Sequence, residues 1–194
     1  MKFANKFKPR DLFDGDGSLF KEILLGSKAY AEYGCGESTV WVASNTNCKI
    51  LSVDSSREWI SSVEKRVSKT DSLKAKWIDL GVLGDWGRPV SYVNCFNFKD
   101  YTDWIWKQEL SPDVVLVDGR FRVACFLTSL LKSKEGTRII FDDYTNRAFY
   151  HYVENFIKPL QTCGRQALFI VPSKDLIDSK AVEEALEKFR FVMD

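Results

Sequence analysis

The sequence predicts an α/β chain: a mostly parallel sheet with helices on both faces and one antiparallel strand near the C-terminus. Two observations carry this. Short apolar runs alternate with segments of helical period, which is how strand, helix, strand units read when the strands are buried on both sides. Towards the end, two apolar runs are joined through only Cys163, Gly164 and Arg165, a connection too short for a parallel crossover. With 194 residues and 45% hydrophobic content, the chain can bury one substantial core, and one domain over 1–194 is expected.

The elements follow in order. AYAEY (29–33) reads as a buried strand and runs into a glycine pair, after which STVWVAS begins a helix with Ser38 or Thr39 near its N-terminus. KILSVD (49–54) is the second strand, and in SREWISSVEKRVSK the residues Ile60, Val63 and Val67 fall on one helical face. AKWIDL (75–80) is the third and is followed by the loop GVLGDWGRP. DVVLVD (113–118) and TRIIFD (137–142) are the fourth and fifth, with FRVACFLTSLLKS between them apolar enough to cover a sheet. KPLQTCGRQALFIVP supplies two further strands, and SKAVEEALEKF, with Val182, Leu186 and Phe189 at helical spacing, adds a last helix.

Composition narrows the function classes. Twenty-eight basic and twenty-seven acidic side chains leave a net charge of +1, so no overall field recruits nucleic acid or an anionic membrane. The local excess at Lys2, Lys6, Lys8 and Arg10 reads as a solvated tail. Five cysteines, odd in number and without a CxxC pair, read as reduced thiols of a cytoplasmic protein. No stretch reads as a signal peptide or a membrane span.

In open parallel sheets ligands sit beyond the carboxyl ends of the strands, where strand order reverses. Gly34 and Gly36 lie there, and glycine lets a ligand approach the main chain without meeting a Cβ. Asp54 ends the second strand twenty residues after Gly34, where a carboxylate can accept from both hydroxyls of a ribose. A dinucleotide fits poorly: the usual fingerprint has a third glycine where this chain has Thr39, and Glu32 and Glu37 would oppose a pyrophosphate. S-adenosylmethionine has no phosphate and carries two cationic centres, which suit two carboxylates and an aromatic face such as Tyr33.

EYGCGES followed by VDSS resembles the first two motifs of class I S-adenosylmethionine-dependent methyltransferases, whose pattern is acidic-x-Gly-x-Gly. The similarity spans about residues 20 to 172, and GVLGDWGRPV, VDGRFRVAC and IIFDDY resemble a group of bacterial methyltransferase-like proteins. The resemblance implies a Rossmann-like methyltransferase fold, a seven-stranded sheet with one antiparallel strand, to which the C-terminal helix is an addition. It also implies that Glu32 orients the methionine end, that Gly34 and Gly36 form the floor, and that Asp54 holds the ribose. Asp79 or Asp85 would accept from the adenine amino group, with Trp86 either stacking on the base or folded back on the core. Cys35, Ser38, Ser55 and Asp118 complete the expected cofactor site.

Methyl transfer needs alignment and, for a hydroxyl acceptor, removal of a proton. Asp118, Asp142 and Asp143 end the fourth and fifth strands. They are expected either to hold a divalent cation, in a site similar to that of catechol-type O-methyltransferases, or to cap a helix near Asn146 and bind amides. Asp143 stands where those enzymes have asparagine. Arg120 and Arg122, at the positive end of a helix, are expected to place at least one cation in the cleft for an anionic or polar group. His151 and the pair Trp104 and Trp106 read as packing residues. The expected activity is methylation of a small polar acceptor, at oxygen since no NPPY motif occurs. The alternative is a non-catalytic binder of the same nucleoside, and a nicotinamide-dependent dehydrogenase is disfavoured.

Overall fold

The computed structural model describes residues 12–67 and 70–194; the basic residues Lys2, Lys6, Lys8 and Arg10 and the end of SREWISSVEKRVSK lie outside the described residues. In chain order the elements are α1 (Ser18–Leu25), β1 (Ala29–Tyr33), α2 (Glu37–Asn45), β2 (Lys49–Asp54), α3 (Arg57–Arg66), β3 (Leu73–Trp77), α4 (Phe98–Asp103), β4 (Val114–Val117), α5 (Arg122–Lys132), β5 (Arg138–Phe141), β6 (Gln161–Cys163), β7 (Gln166–Ile170) and α6 (Ser179–Phe189). The strands form one seven-stranded sheet in the order β3-β2-β1-β4-β5-β7-β6. β1 to β5 pair in parallel, and β7 runs antiparallel to both β5 and β6. The expected antiparallel strand is therefore β7, inserted beside β5, and β6 forms the edge beyond it.

Alternate residues of the central strands feed two cores, as a pleated strand buried on both faces must. Tyr30, Ile50, Val114, Leu116 and Ile140 face α1, α2 and α3; Ala31, Val53, Val115, Val117 and Phe141 face α4, α5 and α6. α6 lays Val182, Ala185 and Leu186 against this second core, beside α5.

β3 departs from the expected buried strand. It is an edge strand of half-exposed and exposed residues, begins at Leu73 and ends at Trp77. Beyond it the chain stays close to the sheet: Ile78 N donates to Asp54 O at 2.9 Å, and Ile78 and Leu80 are buried in the core. The helix expected near Asn146 is a 3-10 segment, Ala148–Asn155. Among the described residues no helix is long and apolar enough to cross a membrane.

Candidate functional site

β1 bonds to β2 on one side and β4 on the other, so the loops leaving β1 and β4 diverge and open a cleft at the carboxyl edge. A cavity of about 1020 Å3 occupies this place. That is at the upper end of ligand pockets, which span roughly 300–1,000 Å3, and leaves room for a nucleoside cofactor with a second molecule.

Two glycines build its floor for different reasons. Gly34 has φ +98°, and a Cβ there would lie 2.9 Å from the backbone of Asp118 and Gly119, so the β1 and β4 loops can touch only without a side chain. Gly36 lines the cavity, and a Cβ built on it meets no protein atom within 4 Å. The space it leaves belongs to the cleft.

Asp54 and Ser55 line the same cavity from the end of β2. Asp54 is fixed by two amides: Cys35 N donates to Oδ2 at 2.7 Å and Ser56 N to Oδ1 at 2.6 Å. Burial raises its pKa above the ordinary value and these amides oppose the rise. Each oxygen keeps a lone pair for another donor. Ser55 Oγ donates to Gly87 O at 2.8 Å, tying the 84–90 loop to β2. In that loop Asp85 and Trp86 line the cavity, with Trp86 86% exposed at φ 59°. Its ring is not folded onto the core.

Several expected residues lie elsewhere. Glu32 is fully buried beneath the loop, where its carboxylate accepts from Tyr30 Oη and Ser38 Oγ, both at 2.8 Å, and from Thr39 Oγ1. Thr39 Oγ1 in turn accepts from Gly36 N at 2.9 Å, so threonine ties the glycine turn to Glu32. Burial pushes the Glu32 carboxyl up to about 7 against those hydroxyls. It shapes the floor rather than facing the cleft. Glu37 lines the cavity but is held bidentately by Arg66 at 2.6 and 2.7 Å. The loop is thus less negative than a count of its glutamates suggests. Asp79 is absent from the lining and its Oδ1 accepts from Gly81 N at 2.9 Å. Tyr33 is buried, bonded to Thr102 O and Trp106 Nε1, and Tyr101 supplies the aromatic wall instead. His151 faces Tyr144 O at 3.1 Å, outside the cleft.

Asp118, Asp142 and Asp143 do converge, with one oxygen of each within 4.8 Å of the others. Arginines already interleave them. Arg122, 4% exposed, reaches Asp118 Oδ1 and Asp143 Oδ2, both at 3.0 Å. Arg165 holds Asp142 at 2.6 Å and Asp143 at 3.1 Å, and Arg147 reaches Asp143 at 2.9 Å. These guanidinium cations occupy the faces of the three carboxylates that a dication would need, Arg165 reaching the exposed Asp14 at 3.2 Å as well, so this arrangement does not fit a hard dication. Nor does any of the three cap a helix; Arg147 and Arg165 carried no signal in the sequence because their partners are distant or turned inward.

Asp118 sits at the cleft, its side chain 27% exposed. Burial and the neighbouring Asp142 and Asp143 hold its carboxyl above the ordinary range, against Arg122. Arg120 and Arg122 both line the cavity, but the Arg122 guanidinium is committed to the Asp118 and Asp143 carboxylates and the Asp142 carbonyl.

No family model matches the chain, and no curated protein does. Among solved structures, a methyltransferase-like protein from Silicibacter pomeroyi is 32% identical, with a TM-score of 0.77, 89% of this chain and 91% of that one being covered. N-methyltransferase NodS from Bradyrhizobium japonicum, in complex with S-adenosyl-L-homocysteine, is 13% identical at a TM-score of 0.53, covering 88% of this chain and 94% of that one. The Methanococcus jannaschii fibrillarin pre-rRNA processing protein is 10% identical at 0.53, covering 78% and 69%. The last two share the fold alone. With the identity and coverage of the first, and the glycine loop, strand order and inserted β7 described above, this chain belongs to the methyltransferase-like proteins of the class I S-adenosylmethionine-dependent methyltransferase superfamily.

Proposed function

We propose that the protein is an S-adenosylmethionine-dependent methyltransferase acting on a small polar acceptor, at oxygen. The observation that carries this is the cleft at the β1 and β4 divergence, with Asp54 fixed beside it and Gly36 presenting bare backbone to its open space. The solved complex of NodS with S-adenosyl-L-homocysteine, on the same fold, supports the choice of cofactor.

Gly34, Cys35, Gly36 and Ser38 would cradle the cofactor, Asp54 would accept from its ribose hydroxyls, and Ser55, Asp85 and Trp86 would border its base. When bound, the cofactor supplies an electrophilic methyl group on a sulfonium, and the sulfur keeps the electron pair of the broken bond. The chain's own task is to align the acceptor and take its proton. Asp118 is suited to that: Oδ1 is held by Arg122, Oδ2 is left for the acceptor, and an elevated pKa makes the carboxylate a better base. Arg120 would hold a polar group of the acceptor. The net charge of +1 supports a small-molecule acceptor away from nucleic acid and membrane, and the unpaired cysteines support the cytoplasm.

A second reading, a binder without turnover, is favoured by the arginines that pair with Asp118, Asp142 and Asp143. Calorimetric titration with S-adenosylmethionine decides the cofactor: wild type binds, Asp54→Ala loses at least tenfold in affinity, and NAD gives no heat. Absence of binding at saturating cofactor would end both readings. Formation of S-adenosylhomocysteine with an acceptor separates enzyme from binder.

A further inference from the structure

Tyr101, carried by α4, lines the cavity although it is only 1% exposed. Its ring lies in the core, edge-on to Phe121 at 5.7 Å and tilted against Tyr33 at 6.1 Å. The wall it supplies is therefore tipped by its hydroxyl, which emerges where the loops leaving β1 and β4 touch. Gly119 records that passage. A Cβ on Gly119 would collide with Tyr101 Oη and come within 2.7 Å of Gly34 N. The backbone of Gly119 lies outside the left-handed region, so it is space for the hydroxyl, and not conformation, that calls for glycine there.

The hydrogen bonds of that hydroxyl are half made. Arg120 N donates to Tyr101 Oη at 3.1 Å, which occupies one lone pair, and among the described residues no group accepts the hydroxyl's own proton. Tyr30, Tyr33 and Tyr144, buried as well, each give theirs to a protein oxygen: Glu32 Oε2 at 2.8 Å, Thr102 O at 2.7 Å and Glu154 Oε1 at 2.7 Å. A buried donor without an acceptor is costly, and Tyr101 is the case in which the missing partner would come from the cleft. Burial and the Asp54 carboxylate hold its pKa well above the ordinary tyrosine value. It stays protonated, so it faces the cleft as a donor and cannot act as a base. Asp54 and Asp118, which line the same cavity, can only accept while ionised. A ligand oxygen that needs a donor finds it in Tyr101.

We propose that Tyr101 binds the cofactor directly, its hydroxyl donating to a cofactor oxygen seated over the crossing of the β1 and β4 loops, with Gly119 as the positioning residue that lets the hydroxyl through. This rests on the methyltransferase reading of the cleft. Two kinds of oxygen on S-adenosylmethionine can take such a bond, those of the ribose and those of the carboxylate at its amino-acid end.

Tyr101→Phe keeps the ring and its packing and removes the hydroxyl. In calorimetric titration it should bind S-adenosylhomocysteine about fivefold or more weakly than wild type. 5′-Methylthioadenosine, which keeps the ribose and lacks the amino-acid end, separates the two oxygens: an equal loss assigns the bond to the ribose, and an unchanged affinity assigns it to the carboxylate. A role confined to accepting from Arg120 N would weaken the ligand-free fold and leave the hydroxyl as it was on binding. Tyrosine labelled with 13C at Cζ tells the two apart. The Tyr101 resonance, identified by its absence from Tyr101→Phe, should move downfield when wild type takes up S-adenosylhomocysteine, as a phenol does on donating a hydrogen bond; an unmoved resonance overturns the proposal. Should phenylalanine unfold the chain, 3-fluorotyrosine placed at position 101 keeps the hydroxyl and makes it a stronger donor. It should then tighten S-adenosylhomocysteine binding about twofold or more, and the absence of a gain overturns the proposal. Wild type and Tyr101→Phe that bind S-adenosylhomocysteine equally would end this proposal and leave the methyltransferase reading standing, whereas wild type that takes up none would end both.

Discussion

At the scale of single residues, Gly34 and Gly36 look alike in the sequence and are opposite in kind. Gly34→Ala puts a Cβ 2.9 Å from the main chain of the β4 loop at φ +98°, and we expect it to cost about 2 kcal/mol or more in denaturant unfolding. Gly36→Ala meets nothing within 4 Å, so stability should stay within about 0.5 kcal/mol while S-adenosylmethionine affinity falls at least tenfold. Equal effects of the two on stability would contradict the assignment. Glu32 gives a pH signature. Its carboxyl is raised to about 7 in the fold and sits near 4.3 in an unfolded chain, so the folded state binds the extra proton between those values. Stability from this group is full below about pH 4 and is lost as pH rises through 7, by about 4 kcal/mol at most. Glu32→Gln should remove that part of the decline. Asp54 and Asp118, also raised by burial, slope the same way in both proteins, so the difference between the two curves is what isolates Glu32.

At the scale of elements, α6 is the addition whose purpose the sequence left open. Its amphipathic spacing places Val182 and Leu186 in the core beside α5, where they are 0% and 7% exposed. Leu186→Ala should cost about 2–4 kcal/mol. The 84–90 loop is the complementary case. Its bond from Ser55 Oγ to Gly87 O and its exposed Trp86 hold an aromatic ring free at the rim, which three glycines and a tryptophan had suggested without deciding between stacking and core packing.

At the scale of the whole molecule, a ligand that binds only the folded state stabilises it by about 2.7 kcal/mol at a hundredfold excess over its dissociation constant. S-adenosylmethionine should therefore raise the melting temperature by several degrees, NAD should not, and the shift should vanish in Asp54→Ala. The sequence by itself determined the architecture: short apolar runs, segments of period 3.6 and a three-residue connection depend on neighbours along the chain, and they led to the five parallel strands, the antiparallel β7 and the carboxyl edge where Gly34, Asp54 and Asp118 gather. Tertiary structure alone decided what the charges are for. Whether Glu37 is free depends on Arg66, whether Asp142 and Asp143 can take a metal depends on Arg122, Arg147 and Arg165, and whether Arg120 meets an anion depends on Asp194. Such pairings act through space over a few ångströms and have no fixed spacing along the chain, so composition counts the charges and only the fold can match them.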